Sequence, residues 1–173
     1  MPRSLHQSAA FLLGFWVALL LPPFGAKAAP AERDGPAPWA EFEESFHRDV
    51  NAVRANRHLV LLERQAELDR VARAHSADMA RRSYLSHESP ERRNPVDRLQ
   101  EAGVTGFTLA AENAGMTSRS DPNREILQGW LASRVHRQNL HAPPFNATGI
   151  GVARAADGTF FYTQLYVTYP REH

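Results

Sequence analysis

Thr148-Gly149-Ile150-Gly151-Val152-Ala153-Arg154-Ala155-Ala156-Asp157-Gly158-Thr159-Phe160-Phe161-Tyr162-Thr163-Gln164-Leu165-Tyr166-Val167-Thr168-Tyr169 is the stretch that decides the architecture. β-Branched and aromatic residues crowd its second half, and Ala156-Asp157-Gly158 is a hairpin turn signal. The reading is two antiparallel strands, about Thr148 to Ala155 and Thr159 to Tyr169. Period two places Tyr162, Gln164 and Tyr166 on one face of the second strand. A third strand is expected around Ala110 to Ala114.

Upstream the period changes from two to that of a helix. A first helix is expected from about Trp39 to Asn56, with Phe42, Phe46, Val50 and Val53 on its apolar face and Glu41, Glu43, Glu44 and Arg48 outside. A second, from about Gln65 to Ser83, buries Leu68, Val71, Ala72, His75 and Met79. Asn94 caps a short third helix, Pro95 suits its first position and Gly103 ends it. Another begins after Asp121-Pro122 and turns Ile126, Leu127, Trp130 and Leu131 inward, and the segment carrying His136 is expected as a loop. These elements predict an α+β fold, a three-layer α/β/α sandwich around a small, mainly antiparallel sheet.

The ends of the chain speak to export. Arg3 is followed by the apolar run Ala9 to Leu21, then Pro22-Pro23 and the small residues Ala26 and Ala28 around Lys27. The run falls short of the roughly 20 residues that span a bilayer, and its flanks are those of a cleaved secretory signal. The expected organisation is a signal peptide over 1–28, a flexible Ala/Pro/Gly leader over 29–38, one folded domain over 39–169 and a short disordered tail. No later segment is apolar enough to cross a membrane, and a monomer is expected. The chain has no cysteine, which excludes a lipoprotein anchor, disulfides, a thiolate metal site and a cysteine nucleophile. A net charge of +1 makes no demand for a nucleic-acid partner.

Chemistry concentrates in three segments: Ser83 to His87, Ala111-Glu112-Asn113, and Trp130 to Leu140. Glu112 sits in apolar surroundings and needs hydrogen-bond donors, which His87 or His136 would supply, as a site or as a structural ion pair. His87 reads either as a helix-terminal histidine or as a functional one. His136 belongs to a polar run in which Arg137 and Asn139 act as supports. His75 lies on a buried stripe and is expected in the core. His47, His58 and His141 are expected at the surface. Ser86 and Ser133 invite comparison with a serine hydrolase, but neither stands in a nucleophile-elbow pattern. Gln164 is placed on a face that lines the cleft or simply packs the sheet.

The ordered set His75-Ser76-x-Asp78-Met79-Ala80, Tyr84-x-Ser86-His87, Pro95-x-Asp97-Arg98, Glu112-Asn113, Trp130-x-x-Ser133-x-x-His136-Arg137-x-Asn139, Gly149-x-Gly151-Val152 and Tyr162-x-Gln164 resembles the bacterial branch of the CAP superfamily, the fold of cysteine-rich secretory proteins, antigen 5 and plant pathogenesis-related proteins. The resemblance implies a central cleft holding His87, Glu112 and His136, lined also by Ser133 and Gln164, with His87 and His136 as ligands of a divalent metal, often zinc. A second acid belongs three residues after the tryptophan in the full family pattern, and that position is Ser133, as the bacterial branch tends to have it. Arg134-Val135 replaces the usual Pro-Gly pair. If Glu112 is a zinc ligand, no carboxylate is left as general base, and if it is the base, only two ligands are left. Three functions follow as expectations. The first is a non-catalytic exported binding module taking a divalent metal, a small apolar molecule, a lipid or a cell-envelope glycan. The others are a metal-dependent hydrolase of peptides or cell-wall material, with Glu88, Glu91 or Asp121 as the stand-in acid, and a structural domain with a vestigial cleft.

Overall fold

The computed structural model describes residues 38–170. The expected signal peptide, all of the leader except Pro38, and the last three residues lie outside the described residues. Nine elements follow in chain order: α1 (Ala40–Ala55), β1 (Glu63–Arg64), α2 (Ala66–Arg82), α3 (Pro95–Glu101), β2 (Leu109–Thr117), α4 (Pro122–Ala132), α5 (Arg134–Leu140), β3 (Ala147–Arg154) and β4 (Phe160–Thr168). The sheet runs β1-β3-β4-β2, with β1 parallel to β3 and the other pairs antiparallel. β1 was not legible because two residues carry no period.

The β3–β4 turn forms as its residues dictate. Asp157 Oδ1 accepts from the Thr159 N–H, and Gly158 takes a φ of 92°. Alternation along β4 then divides the core. Tyr162 and Tyr166 face α1, α4 and α5, in a cluster with Phe46, Val50, Trp130 and Ile150. Leu165 and Val167 face α2 and α3, with Leu68, Val71, Ala72 and Leu99. Phe46 meets Trp130 edge-on with ring centres 5.3 Å apart, an arrangement that the aromatic quadrupole favours.

α2 lies very close to the sheet. A Cβ added to Gly149 would stand 2.1 Å from the Leu68 carbonyl carbon, and one added to Gly151 would stand 2.1 Å from the Arg73 nitrogen. Glycine is needed there because helix backbone occupies the space of a side chain.

Glu43, expected outside α1, is completely buried. It receives Arg73 in a bidentate pair and Arg64 Nη2 at 2.7 Å, and its Oε1 accepts from the Val152 N–H. Asp69 accepts from the Ile150 N–H at 2.8 Å. Beyond the short β1, the outer edge of β3 is therefore closed by two carboxylates in place of a neighbouring strand. Helical periodicity cannot foresee this, because the partners lie far away in sequence. Arg54 is also fully buried and donates to the carbonyls of Val60, Leu140, Ala142 and Phe145 at 2.8–3.1 Å. It ties α1 to the end of α5 and the turn that follows.

Candidate functional site

β2 is an edge strand, and the site forms over that edge. Its pairing with β4 puts Glu112 opposite Leu165, on the α2 face, and Asn113 opposite Gln164, on the other face. Two histidines reach the edge from the two layers. His87 comes from the connection after α2. His136 comes from α5, which is a helix rather than the expected loop: Ser133, in extended conformation, ends α4 and starts the next helix.

The Glu112 side chain is almost inaccessible, and both of its oxygens are engaged. Oε1 accepts from His87 Nδ1 at 2.9 Å, and Oε2 accepts from Arg98 Nη2. An ionised carboxylate only accepts, so Nδ1 of His87 carries the proton and Nε2 is its free nitrogen. Arg98 Nη1 also donates to the carbonyls of His87 and Arg93, both at 2.9 Å. One guanidinium thus holds the carboxylate and the backbone of the histidine beside it. α3 presents Arg98 because its start is locked by a capping box between Asn94 and Asp97.

His75 is a core residue, as its stripe implies, and it also supports the site. Its Nε2 lies 2.9 Å from the Ser86 carbonyl, just before His87, and 3.9 Å from Glu112 Oε1. The backbone of His136 is fixed by Asn113 Nδ2, which donates to its carbonyl at 3.0 Å. Asn139 donates to Asn113 Oδ1 and to the Glu112 carbonyl, and Arg137 donates to Leu131 O at 2.6 Å, so both are supports as expected. The His136 ring stacks on Trp130 with centres 6.1 Å apart and lies 6.5 Å from the His87 ring.

Gln164 does not line the cleft. It is completely buried, on the sheet face opposite Glu112, where it donates to Thr148 and accepts from the Tyr166 hydroxyl. Tyr166 in turn lies 3.1 Å from Asn113, so Gln164 reaches the site only through a buried polar chain. Ser133 sits at the break between α4 and α5, and its side chain makes no capping hydrogen bond. The three stand-in acids are committed elsewhere: Glu88 to Arg92, Glu91 to Arg82, and Asp121 to the α4 N-terminus. Behind Arg98 opens a cavity of about 500 Å³ between α2 and α3, whose acids Asp78, Glu91 and Glu101 are paired with Arg81, Arg82 and Arg93.

The surroundings shift the two imidazoles in opposite directions. The hydrogen bond to Glu112 raises the pKa of His87, against the effect of partial burial. Burial lowers that of His136, and the neighbouring His87 charge adds to the effect. Burial also lowers His75.

Zinc needs three or four donors at about 2.0–2.1 Å when nitrogen binds, and two imidazoles sharing a tetrahedral ion have ring centres about 5 Å apart. The 6.5 Å separation of His87 and His136 is wider than that. The one nearby carboxylate already holds a cation in Arg98, and among the described residues no group of three His, Asp or Glu side chains is placed to hold a metal ion. As they stand, the residues do not fit the metal that the family resemblance implied. In the sequence Arg98 stands within Pro95-x-Asp97-Arg98 with no role of its own. A buried Glu112 needs hydrogen-bond donors, but which of them reach it depends on how α3 docks.

A family model described as the cysteine-rich secretory protein family, CAP, matches residues 47–166. The chain is 26% identical over 145 residues to the uncharacterized Bacillus subtilis protein YkwD, covering 84% of this chain and 54% of that protein. A solved extracellular protein of Bacillus anthracis that contains an SCP domain is 36% identical, with a TM-score of 0.63 over 73% of this chain and 40% of its own. An outer surface protein of Borrelia burgdorferi shares the fold, with a TM-score of 0.70 at 16% identity over 78% of this chain and 97% of its own. The chain thus spans about half or less of the two Bacillus relatives.

Proposed function

The chain belongs to the cysteine-rich secretory protein (CAP) family, and from that premise we propose that it is an exported, non-catalytic binding module whose ligand enters between His87 and His136. The observation that carries this reading is the saturation of Glu112 by His87 and Arg98. A hydrolase of this type needs a carboxylate free to ligate a metal or to take a proton from water. Here both oxygens are occupied, and the position of the second acid is serine. A vestigial cleft is disfavoured because the His87 side chain is half exposed and its Nε2 is uncommitted. Export is supported by the signal-like sequence over 1–28 and by relatives described as extracellular or outer-surface proteins.

The test is calorimetric titration of the purified chain with zinc, beside a His87→Ala, His136→Ala double variant, together with peptidase assays on both. The proposal expects no metal-dependent turnover. Zinc-stimulated hydrolysis that the double variant abolishes would replace the binding module with an enzyme.

A further inference from the structure

We propose that the slot between α2 and α3 is a second binding site, separate from the cleft at Glu112, and that it takes a small acidic molecule carrying a carboxylate or phosphate group. The slot arises from the order of side-chain sizes along the two helices. Leu99 of α3 is fully buried in one cluster with Leu68 and Val71 of α2, and this contact holds the helices together. Three residues on from Val71 and from Leu99 stand alanines, Ala74 on α2 and Ala102 at the end of α3, and neither fills the space. What is left is a cavity of about 500 Å³, within the range of small-molecule pockets. It is open to solvent, because Ala74 in its wall is exposed, whereas Val71 and His75 in the same wall are buried.

The charge of the wall selects the ligand. Five arginines line the slot, Arg70, Arg81, Arg82, Arg93 and Arg98, against three carboxylates. Arg81, Arg82 and Arg93 are balanced by Asp78, Glu91 and Glu101. Arg98 is paired with Glu112, which does not line the slot, and its Nε is buried with no hydrogen-bond partner among the described residues. A buried donor in that state calls for a further acceptor. Arg70 donates from Nη2 to the Ala102 carbonyl at 3.1 Å, and among the described residues no carboxylate pairs with it. A guanidinium has five N–H donors, so most of those on Arg70 remain for a ligand, and its planar fork matches a carboxylate or a phosphate. Charge-assisted donation to such an oxyanion is the strong form of hydrogen bond. Arginine stays charged at every physiological pH, so the site depends on no protonation step.

The experiment is NMR titration of the full chain with inorganic phosphate and, separately, with succinate, at constant ionic strength and read at the backbone amides. The proposal expects saturable shifts over residues 70–82 and 98–102, and the arm that binds more tightly tells a phosphate ligand from a carboxylate. Arg70→Gln should raise the dissociation constant about tenfold, the scale of one lost hydrogen bond to a charged group. Ala74→Phe fills the slot without touching a charge and should abolish the response, and because Ala74 is exposed the fold tolerates it. Arg119→Gln removes an exposed cation outside the slot and should change nothing. Succinate should bind as well at about pH 8 as at about pH 6, since no histidine has to be charged. Absence of a saturable response, equal weakening by Arg70→Gln and Arg119→Gln, or a response that survives Ala74→Phe would each overturn the proposal. Shifts centred on Glu112 and His136 would move the anion to the cleft and overturn it as well.

Discussion

Replacement of Gly151 by alanine puts one methyl group where α2 already stands. The new Cβ would lie 2.1 Å from the Arg73 nitrogen and 2.2 Å from the Ala72 carbonyl carbon, about 1.3 Å inside the 3.4 Å at which ordinary contact begins. The obstacle is helix backbone, so no side-chain rotation relieves it, and either α2 or β3 must move. Overpacking typically costs about 1–3 kcal/mol, and a backbone obstacle belongs at the upper end. For a domain of this size about 3 kcal/mol corresponds to a fall of about 10 °C in Tm, or about 1.5 M in the urea midpoint. Gly129 on α4 is the control, because nothing lies within 4 Å of its added Cβ. There the same substitution relieves a helical glycine and should stabilise by about 0.5–1 kcal/mol. Paired urea melts of Gly151→Ala and Gly129→Ala measure both, and the two variants should move in opposite directions. A Gly151→Ala protein as stable as the parent would show that the helix–sheet spacing is not tight and would refute the steric argument.

Other perturbations probe separate parts of the molecule. Arg54→Met leaves four carbonyls without their donor and should cost about 3 kcal/mol or more in a urea melt, with amide exchange rising first around 140–146; a cost below about 1 kcal/mol would remove Arg54 as a tether. Asn94→Ala breaks the α3 capping box and should lower stability by about 1 kcal/mol. His87 should titrate above the ordinary histidine value and His136 below it, read from ring-proton shifts against pH, and Glu112→Gln should bring His87 down; the reverse order would contradict the geometry. The signs for stability follow. The charged form of His87 is favoured in the fold, so its contribution is full below the unfolded pKa of about 6.5 and is lost as pH rises through the higher folded value. For His136 the charge is disfavoured, so stability is withdrawn as pH falls below about 6.5.

The legible parts of the fold are those governed by local rules. The Asp157-Gly158 turn, the Asn94-Pro95 start and the stripe from Leu68 to Met79 each satisfy their own requirement within a few residues, and each stands where the sequence puts it. The misread parts depend on partners far along the chain. Glu43 looks like a solvated residue until Arg64, Arg73 and Val152 come together around it. Of the cleft, His87, Glu112 and His136 were legible as a group and do converge on one edge. Gln164 was misplaced because period two gives a face without saying whether that face is open, and β4 is buried on both sides. Arg98 was overlooked as the third party at Glu112 because its reach depends on how α3 docks, which no spacing reveals.

The carboxylates that close the β3 edge also bear on the route by which the chain reaches its fold. Asp69 and Glu43 meet their backbone donors across sequence separations of 81 and 109 residues. Synthesis from the N-terminus delivers both acids well before the residues of β3. The last strands then arrive at an edge whose stoppers are already in place. The hazard lies in the opposite order. A β3–β4 hairpin formed while α1 and α2 are undocked shows two bare N–H groups to any neighbouring strand. In a protein with no disulfide to hold its layers together, two ionised side chains thus separate a finished sheet from one still open to another copy.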